Sequence, residues 1–151
     1  MSNEMKLEFD AVSENEGFAR VAVAAFVTPL DPTLQEVADV KTAVSEAVTN
    51  AIIHGYAGWA AQEPGKVIIR CCLKEDVLHI EVEDKGRGIE DVEKAMEPLY
   101  TTRPDMDRSG MGFAFMEAFM DDLDVESVPG EGTLVKMEKK LGTLSWTEDE
   151  E

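Results

Sequence analysis

Three short segments of the chain carry residue types that could perform chemistry. In the first, Glu46 and Asn50 lie four residues apart in a predicted helix and therefore share one helix face. A carboxylate can accept the proton of a hydroxyl nucleophile, and an amide oxygen is a hard ligand that suits Mg²⁺. Glu46 is a candidate general base and Asn50 a candidate metal ligand, although two solvent-facing helix residues would show the same spacing.

The second segment is the run Asp-Lys-Gly-Arg-Gly from Asp84 to Gly88, directly after a predicted strand. Gly86 and Gly88 permit a close backbone approach and positive φ. Asp84 could accept a hydrogen bond from an amino group such as the exocyclic amine of adenine. The run is neither a dinucleotide-binding fingerprint nor a Walker loop. A Gly-rich turn at a strand end is the alternative.

The third segment, from Arg108 to Phe113, is a Gly-rich loop that is predicted to begin a helix. Unpaired amides at a helix N-terminus, together with the helix dipole, bind phosphate groups. Arg108 could add positive charge to the same site. A plain helix-entry loop is the alternative.

The two cysteines, Cys71 and Cys72, are adjacent. Neighbouring residues on a strand point to opposite faces, so a disulfide between them would be strained. Both are predicted to be small apolar fillers. With only His54 and His79 besides, no metal-ligand spacing is present, and both histidines are predicted to be structural.

The elements that must position these segments follow from hydrophobic periodicity. A strand is predicted over 5–11, and a short helix over 18–27 after a Ser-x-x-Glu capping box at 13–16. A second capping box at 33–36 begins the longest predicted helix, which ends near His54. Farther along, the pattern predicts an antiparallel hairpin of two strands at 67–73 and 77–84, a short helix at 89–96 and a loop at 99–110. A helix at 111–122 and two strands at 123–128 and 133–139 follow.

This order predicts an α+β sandwich in one domain, with a mixed, mostly antiparallel sheet covered by helices on one face. The domain is expected over 1–142, followed by an acidic, disordered tail at 143–151. The 151 residues carry a formal net charge of −18, which argues against binding to duplex nucleic acid or to anionic membranes. No apolar run suits a membrane span and no signal region is evident, so a cytoplasmic protein is expected.

Taken in order, the three segments resemble the ATP-binding fold shared by gyrase, Hsp90, histidine kinases and MutL, the GHKL superfamily. Glu46 to Asn50 resembles its N box, Asp84 to Gly88 its first glycine box, and Gly110 to Gly112 its second. No phosphoacceptor helix or transducer domain accompanies them, which leaves the stand-alone kinases of the anti-sigma-factor type. The sequence is similar to that of the anti-sigma F factors of endospore-forming bacteria, the stage II sporulation protein AB family, over residues 44–56, 98–104, 108–113 and 116–122.

The resemblance implies ATP and Mg²⁺ between the long helix and a lid at 99–110. Glu46 would take the proton from a substrate serine, Asn50 would hold Mg²⁺, and Asp84 would contact adenine with support from Thr133. Arg108 would contact the γ-phosphate. The phosphate and lid region would be shaped by four glycines, namely Gly86, Gly88, Gly110 and Gly112. Further cofactor contacts are implied at Thr101, Thr102, Ser109 and Met111.

The family implies a homodimeric serine kinase that holds the RNA polymerase sigma factor F inactive and phosphorylates an anti-anti-sigma factor of the stage II sporulation protein AA type. Arg20 matches the position that contacts both partners. The apolar helix at 18–26 is a candidate dimer interface. An anti-sigma B-type stress-response kinase, a non-catalytic sigma-binding module and a slow ATPase without protein substrate are the alternatives.

Overall fold

The computed structural model describes residues 2–56, 63–97 and 112–142. These ranges contain five strands and four α-helices, together with a 3₁₀ turn at Thr28–Leu30 and a π-helical turn at Ala51–Gly55. In chain order the elements are β1 (Ser2–Asp10), α1 (Glu14–Phe26), α2 (Leu34–Asn50), β2 (Lys66–Lys74), β3 (Val77–Asp84), α3 (Val92–Ala95), α4 (Gly112–Phe119), β4 (Asp122–Val128) and β5 (Gly132–Lys140).

The strands form one sheet in the order β1-β2-β3-β5-β4, and every pairing is antiparallel. Alternate residues of β3 are buried, among them Leu78, Ile80 and Val82, because one face of the sheet packs against the helices. The helices contribute Val40, Val44 and other apolar residues to the same core. The predicted α+β fold with helices on one sheet face is confirmed.

The two predicted capping boxes have different outcomes. At the start of α2, the Thr33 side chain accepts from the Glu36 N–H at 3.0 Å, and the Glu36 carboxylate accepts from the Thr33 N–H at 2.9 Å, so this box is confirmed. At the start of α1, Ser13 makes no side-chain capping bond, so that prediction is wrong. The Glu16 carboxylate instead accepts hydrogen bonds from Arg20 and from Ser45 on α2.

All four helices differ in extent from the sequence prediction, and the first begins at Glu14 rather than at 18. The long helix is α-helical only to Asn50 and continues as the π-helical turn. The short helix at 89–96 is reduced to Val92–Ala95, since the Asp91 side chain caps it by accepting from the Lys94 N–H at 3.1 Å. Helix α4 ends at Phe119 rather than at 122, because the Asp121 N–H already donates to the Glu138 carbonyl at 2.8 Å at the start of the β4–β5 pairing.

The predicted loop at 99–110 and the predicted tail at 143–151 lie outside the described residues. Among the helices of the described ranges, none has the length and apolar character that a membrane span requires.

Candidate functional site

A cavity of about 600 Å³ opens where α2 ends, β3 ends and α4 begins. Its walls also include the turn between β4 and β5 and the segment that leads into α3. The lining brings together several residues predicted from the sequence, which are Asn50, Asp84, Gly88, Gly112 and Thr133. The three separate sequence segments therefore meet at one cavity.

Asp84 ends β3 at the wall of this cavity, and only 6% of its surface is exposed. Burial raises the pKa of its carboxyl from 3.8 to about 6, although the Gly86 N–H and a backbone hydrogen bond from Thr133 oppose the shift. The bond from Gly86 to Oδ1 is 2.9 Å long. A buried carboxylate with few donors of its own is suited to accept a hydrogen bond from a ligand amine.

Glycines make room for this carboxylate. A Cβ on Gly55 would lie 2.8 Å from the Asp84 carboxyl carbon, and a Cβ on Gly86 would lie 1.7 Å from the Gly55 carbonyl oxygen. The Gly55 carbonyl also accepts from the Arg87 N–H at 2.7 Å, which fixes the two chain segments together. Gly88 adopts φ +77°, a left-handed conformation that favours glycine, and its Cβ would lie 2.4 Å from the Val128 carbonyl.

Thr133 is paired with Asp84 across β3 and β5 and is 8% exposed. Its hydroxyl lies 2.9 Å from that of Ser127. The Ser127 hydroxyl also accepts from the Ile89 N–H at 2.7 Å and donates to the Gly132 carbonyl at 3.0 Å. Ser127 thus ties the Gly-rich segment to the sheet, a role that sequence reasoning missed because the contact joins residues 38 positions apart.

Asn50 and Gly112 also line the cavity and lie against each other. A Cβ on Gly112 would lie 3.0 Å from Asn50 Nδ2 and 3.1 Å from Oδ1, so the start of α4 packs directly against this amide. Glu46 lies one turn earlier on α2 and is half-buried, but the described residues that line the cavity do not include it. The structure therefore brings Asn50 to the cavity and leaves Glu46 on the adjoining stretch of the same helix.

The Asn50 amide offers the kind of ligand that the sequence predicted for Mg²⁺. Within the described residues there is no cluster of three or more His, Cys, Asp or Glu that could hold a metal ion. Mg²⁺ commonly takes one or two protein oxygens and completes its shell with substrate phosphates and water. A single amide oxygen at the cavity wall fits that requirement.

Six predicted site residues lie outside the described residues, namely Thr101, Thr102, Arg108, Ser109, Gly110 and Met111. Within the described ranges, three residues that the sequence reasoning did not assign to the site also line the cavity, namely the cationic Arg87 and Lys94 and the imidazole of His54. Arg87 lies inside the Gly-rich run, and His54 lies one turn after Asn50. Their proximity in sequence to predicted site residues could have indicated that both line the site.

Tyr56 is a further residue that the sequence reasoning did not assign. Its hydroxyl donates to the Lys66 carbonyl at 2.6 Å and accepts from the Lys85 N–H at 2.9 Å, so it joins the beginning of β2 to the residue after Asp84. A Cβ on Gly65 would lie 2.2 Å from the Tyr56 ring. Tyr56 therefore holds the beginning of β2 next to the start of the Gly-rich segment.

Arg20 lies on α1, away from the cavity lining, with 43% of its side chain exposed. Its Nη1 atom is 2.8 Å from Glu16 Oε2 and 3.5 Å from Ser45 Oγ. Phe18 and Val21 on the same helix are 53% and 58% exposed. The cation and an apolar surface are therefore both accessible on α1.

Comparison with known proteins identifies the family. The histidine kinase-like ATPase domain family matches residues 10–139. The anti-sigma F factor of Clostridium novyi (strain NT) is 60% identical over 142 residues, which cover 94% of this chain and 97% of that one. The chain belongs to the anti-sigma F family of histidine kinase-like ATPase domains. The resemblance seen in the three sequence segments is confirmed, and the ATPase domain implies that the chain binds ATP.

Other relatives agree with this assignment. The anti-sigma F factor of Clostridium acetobutylicum is 59% identical over 145 residues, which cover 95% of this chain and 98% of that one. Among solved structures, the RsbU and RsbW domains of a Mycobacterium tuberculosis protein match with a TM-score of 0.66 at 19% identity. The match covers 92% of this chain but 32% of the solved one, so it bears on the fold alone.

Proposed function

We propose that this chain is an anti-sigma factor and an ATP-dependent protein serine kinase. It would bind and inhibit the sporulation sigma factor F and phosphorylate a serine of an anti-anti-sigma factor of the stage II sporulation protein AA type. The names of the relatives support the sigma-factor role. The observation that carries the kinase proposal is the buried Asp84 carboxylate, which lines one cavity together with Asn50 and Gly112.

The two walls of the cavity suit the two ends of ATP. Asp84, supported by Thr133, would accept a hydrogen bond from the adenine amine, since its carboxylate has been withdrawn from water. Asn50 and the start of α4 would meet the phosphates, and the amides at the helix N-terminus favour negative charge there. Arg87 and Lys94 add positive charge to the same lining.

Glu46 would act as the general base that takes the proton from the attacking serine hydroxyl. Its place one turn before Asn50 puts it next to the phosphate end of the cavity but outside the lining, where an incoming protein side chain could reach it. Mg²⁺, held by Asn50 and the substrate phosphates, would neutralise the charge that develops on the transferring phosphoryl group. The chain itself then orients ATP and positions the base.

The partner surface would include Arg20. The Arg20 side chain lies 3.5 Å from Ser45, the residue that precedes Glu46, so a protein held at α1 would be close to the base on α2. The exposed Phe18 and Val21 are candidates for a homodimer contact, as expected for this helix. A partner that gains a phosphate gains about 1.5–2 negative charges beside an acidic protein, which would promote its release.

Transfer of ³²P from ATP to a candidate anti-anti-sigma protein tests the kinase proposal. Glu46→Gln removes the base but keeps the side-chain size, and we expect phosphorylation to fall by about 10²–10⁴-fold while ATP binding persists. Glu117→Gln, at an exposed acid of α4, is the matched control and should transfer at the normal rate.

The alternatives predict other results. A non-catalytic sigma-binding module would transfer no phosphate with either variant and would still bind the sigma factor. A slow ATPase would release inorganic phosphate whether or not the partner is present. An anti-sigma B-type kinase would transfer phosphate to, and bind, the stress-response partners in preference to those of sporulation. A pull-down from sporulating cells with ATP or ADP identifies the partners.

A further inference from the structure

A row of three polar side chains crosses the sheet beside the cavity, on the face that packs against the helices. Asp84 on β3 lies directly opposite Thr133 on β5, and Thr133 lies directly opposite Ser127 on β4. Directly opposed residues point to the same face with their Cβ atoms about 4.5–5.5 Å apart. Asp84 and Thr133 line the cavity, whereas Ser127 is not among its described lining residues. Ser127 therefore acts on a ligand of the cavity through its neighbours.

The Ser127 hydroxyl has three partners, which together use its full hydrogen-bonding capacity. A serine hydroxyl has one proton to donate and two lone pairs that accept. The Ile89 N–H lies 2.7 Å from Ser127 Oγ and occupies one lone pair. The Gly132 carbonyl oxygen, at 3.0 Å, has no proton of its own, so the Ser127 proton points at it. The second lone pair is left for the third partner, the Thr133 hydroxyl at 2.9 Å.

This arrangement decides which way the Thr133 proton points. Because Ser127 has only a lone pair to offer, the hydrogen bond between the two hydroxyls runs from Thr133 to Ser127. In the opposite direction, Ser127 Oγ and the Gly132 carbonyl oxygen would lie 3.0 Å apart without a proton between them. The Thr133 N–H is engaged as well, since it donates to the Asp84 carboxyl. Thr133 therefore has no polar proton left, and its hydroxyl oxygen can only accept from a ligand.

The Asp84 and Thr133 side chains thus form a neighbouring pair of acceptors. They are 6% and 8% exposed, so bulk water does not hydrate them freely. A ligand that brings N–H donors satisfies such acceptors, whereas a carbonyl oxygen in the same place sets acceptor against acceptor and leaves buried groups unpaired. The 6-amino group of adenine has two N–H bonds, and the 6-oxo purines have a carbonyl at that position.

From this arrangement we infer that Ser127 is a positioning residue for base selection, which directs the Thr133 proton away from the ligand so that an amino base is selected over an oxo base. The inference rests on the proposed binding of ATP at Asp84 and adds a residue that does not touch the nucleotide. Without the Ser127 hydroxyl, the Thr133 hydroxyl is free to rotate and donate to a carbonyl. Ser127 therefore determines which nucleotides are rejected.

Calorimetric binding of ATP and of inosine triphosphate to the full chain tests the inference, with the ratio of the two affinities as the readout. The measurement is made at about pH 8, where the Asp84 carboxyl, with its pKa of about 6, is ionised. We expect Ser127→Ala to narrow the preference for ATP by about three- to tenfold, the worth of one hydrogen bond between neutral groups. Ser127→Thr keeps the hydroxyl and should keep the preference. Glu126→Gln is the matched control, because Glu126 precedes Ser127 on β4 but bonds to Lys136 on the other face of the sheet.

A second variant separates base selection from a loss of structure. Ser127→Ala also removes the acceptor of the Ile89 N–H, and a shift of the Gly-rich segment would weaken the binding of both nucleotides alike. Thr133→Val has no hydroxyl to orient, so adding Ser127→Ala to it should leave the ratio of affinities unchanged.

Two results overturn the inference while leaving the proposed function intact. One is a Ser127→Ala variant that keeps the full preference of the original chain for ATP. The other is a narrowing of the preference by Ser127→Ala that is equally large in the Thr133→Val background. An original chain that binds no ATP, or binds the two nucleotides equally, contradicts the proposed recognition of adenine and the inference with it.

Discussion

The two ends of the cavity are built in different ways. At the aspartate end, defined by Asp84, Gly55, Gly86 and Thr133, backbone meets backbone and two glycines have no room for a Cβ. At the asparagine end, defined by Asn50 and Gly112, a side-chain amide meets a helix start with a separation of 3.0 Å to the ideal Cβ position. An added Cβ would clash with backbone at the aspartate end, whereas at the asparagine end it would require the neighbouring amide to shift by only a few tenths of an ångström.

This difference matches what each end would recognise in the proposed function. A flat, rigid base with a fixed amine is best bound by a preorganised acceptor, so the aspartate end is fixed by the sheet and by the Gly55 carbonyl. In the proposed function, Asn50 and Gly112 would meet the phosphates and Mg²⁺. Rigidity and burial at the aspartate end carry a cost in stability, and the following substitutions measure it.

Gly86→Ala should have the largest effect. Its new Cβ would lie 1.7 Å from the Gly55 backbone carbonyl, which no rotamer change can relieve. We expect a loss of several kcal/mol in the free energy of unfolding, or failure to fold, together with loss of ATP binding. Gly17→Ala is the matched control, since nothing lies within 4 Å of its Cβ in α1, and it should stabilise the protein by about 0.5–1 kcal/mol. Urea unfolding measures both.

Asp84→Asn should stabilise the fold while damaging the site. Because burial raises the carboxyl pKa from 3.8 to about 6, the ionised group is held at a cost in the folded state. The contribution of Asp84 to stability is full below pH 3.8 and is lost as pH rises through about 6. We expect Asp84→Asn to be more stable by about 1–3 kcal/mol at pH 7 and by less at pH 5.

Urea unfolding of Asp84→Asn and the original chain at these two pH values supplies the measurement. The amide oxygen can keep the bond from the Gly86 N–H, but the amide NH₂ group cannot accept a backbone hydrogen bond as the second carboxylate oxygen can. The change of the stability difference with pH, rather than its absolute size, therefore reports the charge. A variant that is less stable than the original chain at pH 7 would show that the carboxylate is a net stabilising group, contrary to this description.

Asn50→Ala should have the smallest effect on folding and an effect on ligand binding that depends on Mg²⁺. The amide contacts a helix start that can shift slightly, so the stability loss should stay near 1 kcal/mol or below. In the presence of Mg²⁺, the ATP affinity of Asn50→Ala should be about tenfold lower than that of the original chain. Chelating the metal should then lower the ATP affinity of the variant very little. Gln35→Ala, at an exposed amide of the same helix, is the control. If chelation weakens Asn50→Ala and the original chain by the same factor, Asn50 does not hold the metal.

The sequence predicted most of the elements because their signals are local. Alternation in β1 and β3 and the Thr33–Glu36 capping box depend on neighbours within a few positions, and the structure contains all of them. Local motifs also pointed to Asp84 and Asn50, and the structure has both at the cavity, while their roles stay predictions.

Contacts between distant segments could not be predicted in this way. The Glu16 carboxylate serves Ser45 and Arg20 instead of capping its own helix, because α1 and α2 pack together. Ser127 supports the Gly-rich segment from across the sheet. The row of Asp84, Thr133 and Ser127 depends on strand register, which fixes which residues face one another across β3, β5 and β4.

The central claim is that the aspartate end binds the adenine amine. Calorimetric binding of ATP and of inosine triphosphate, which has an oxygen in place of that amine, tests it directly. We expect the original chain to prefer ATP by on the order of 10²-fold and Asp84→Asn to lose most of this preference, because the site's buried acceptor loses its donor. Equal affinity of the original chain for the two nucleotides, or an unchanged preference in Asp84→Asn, would contradict the account.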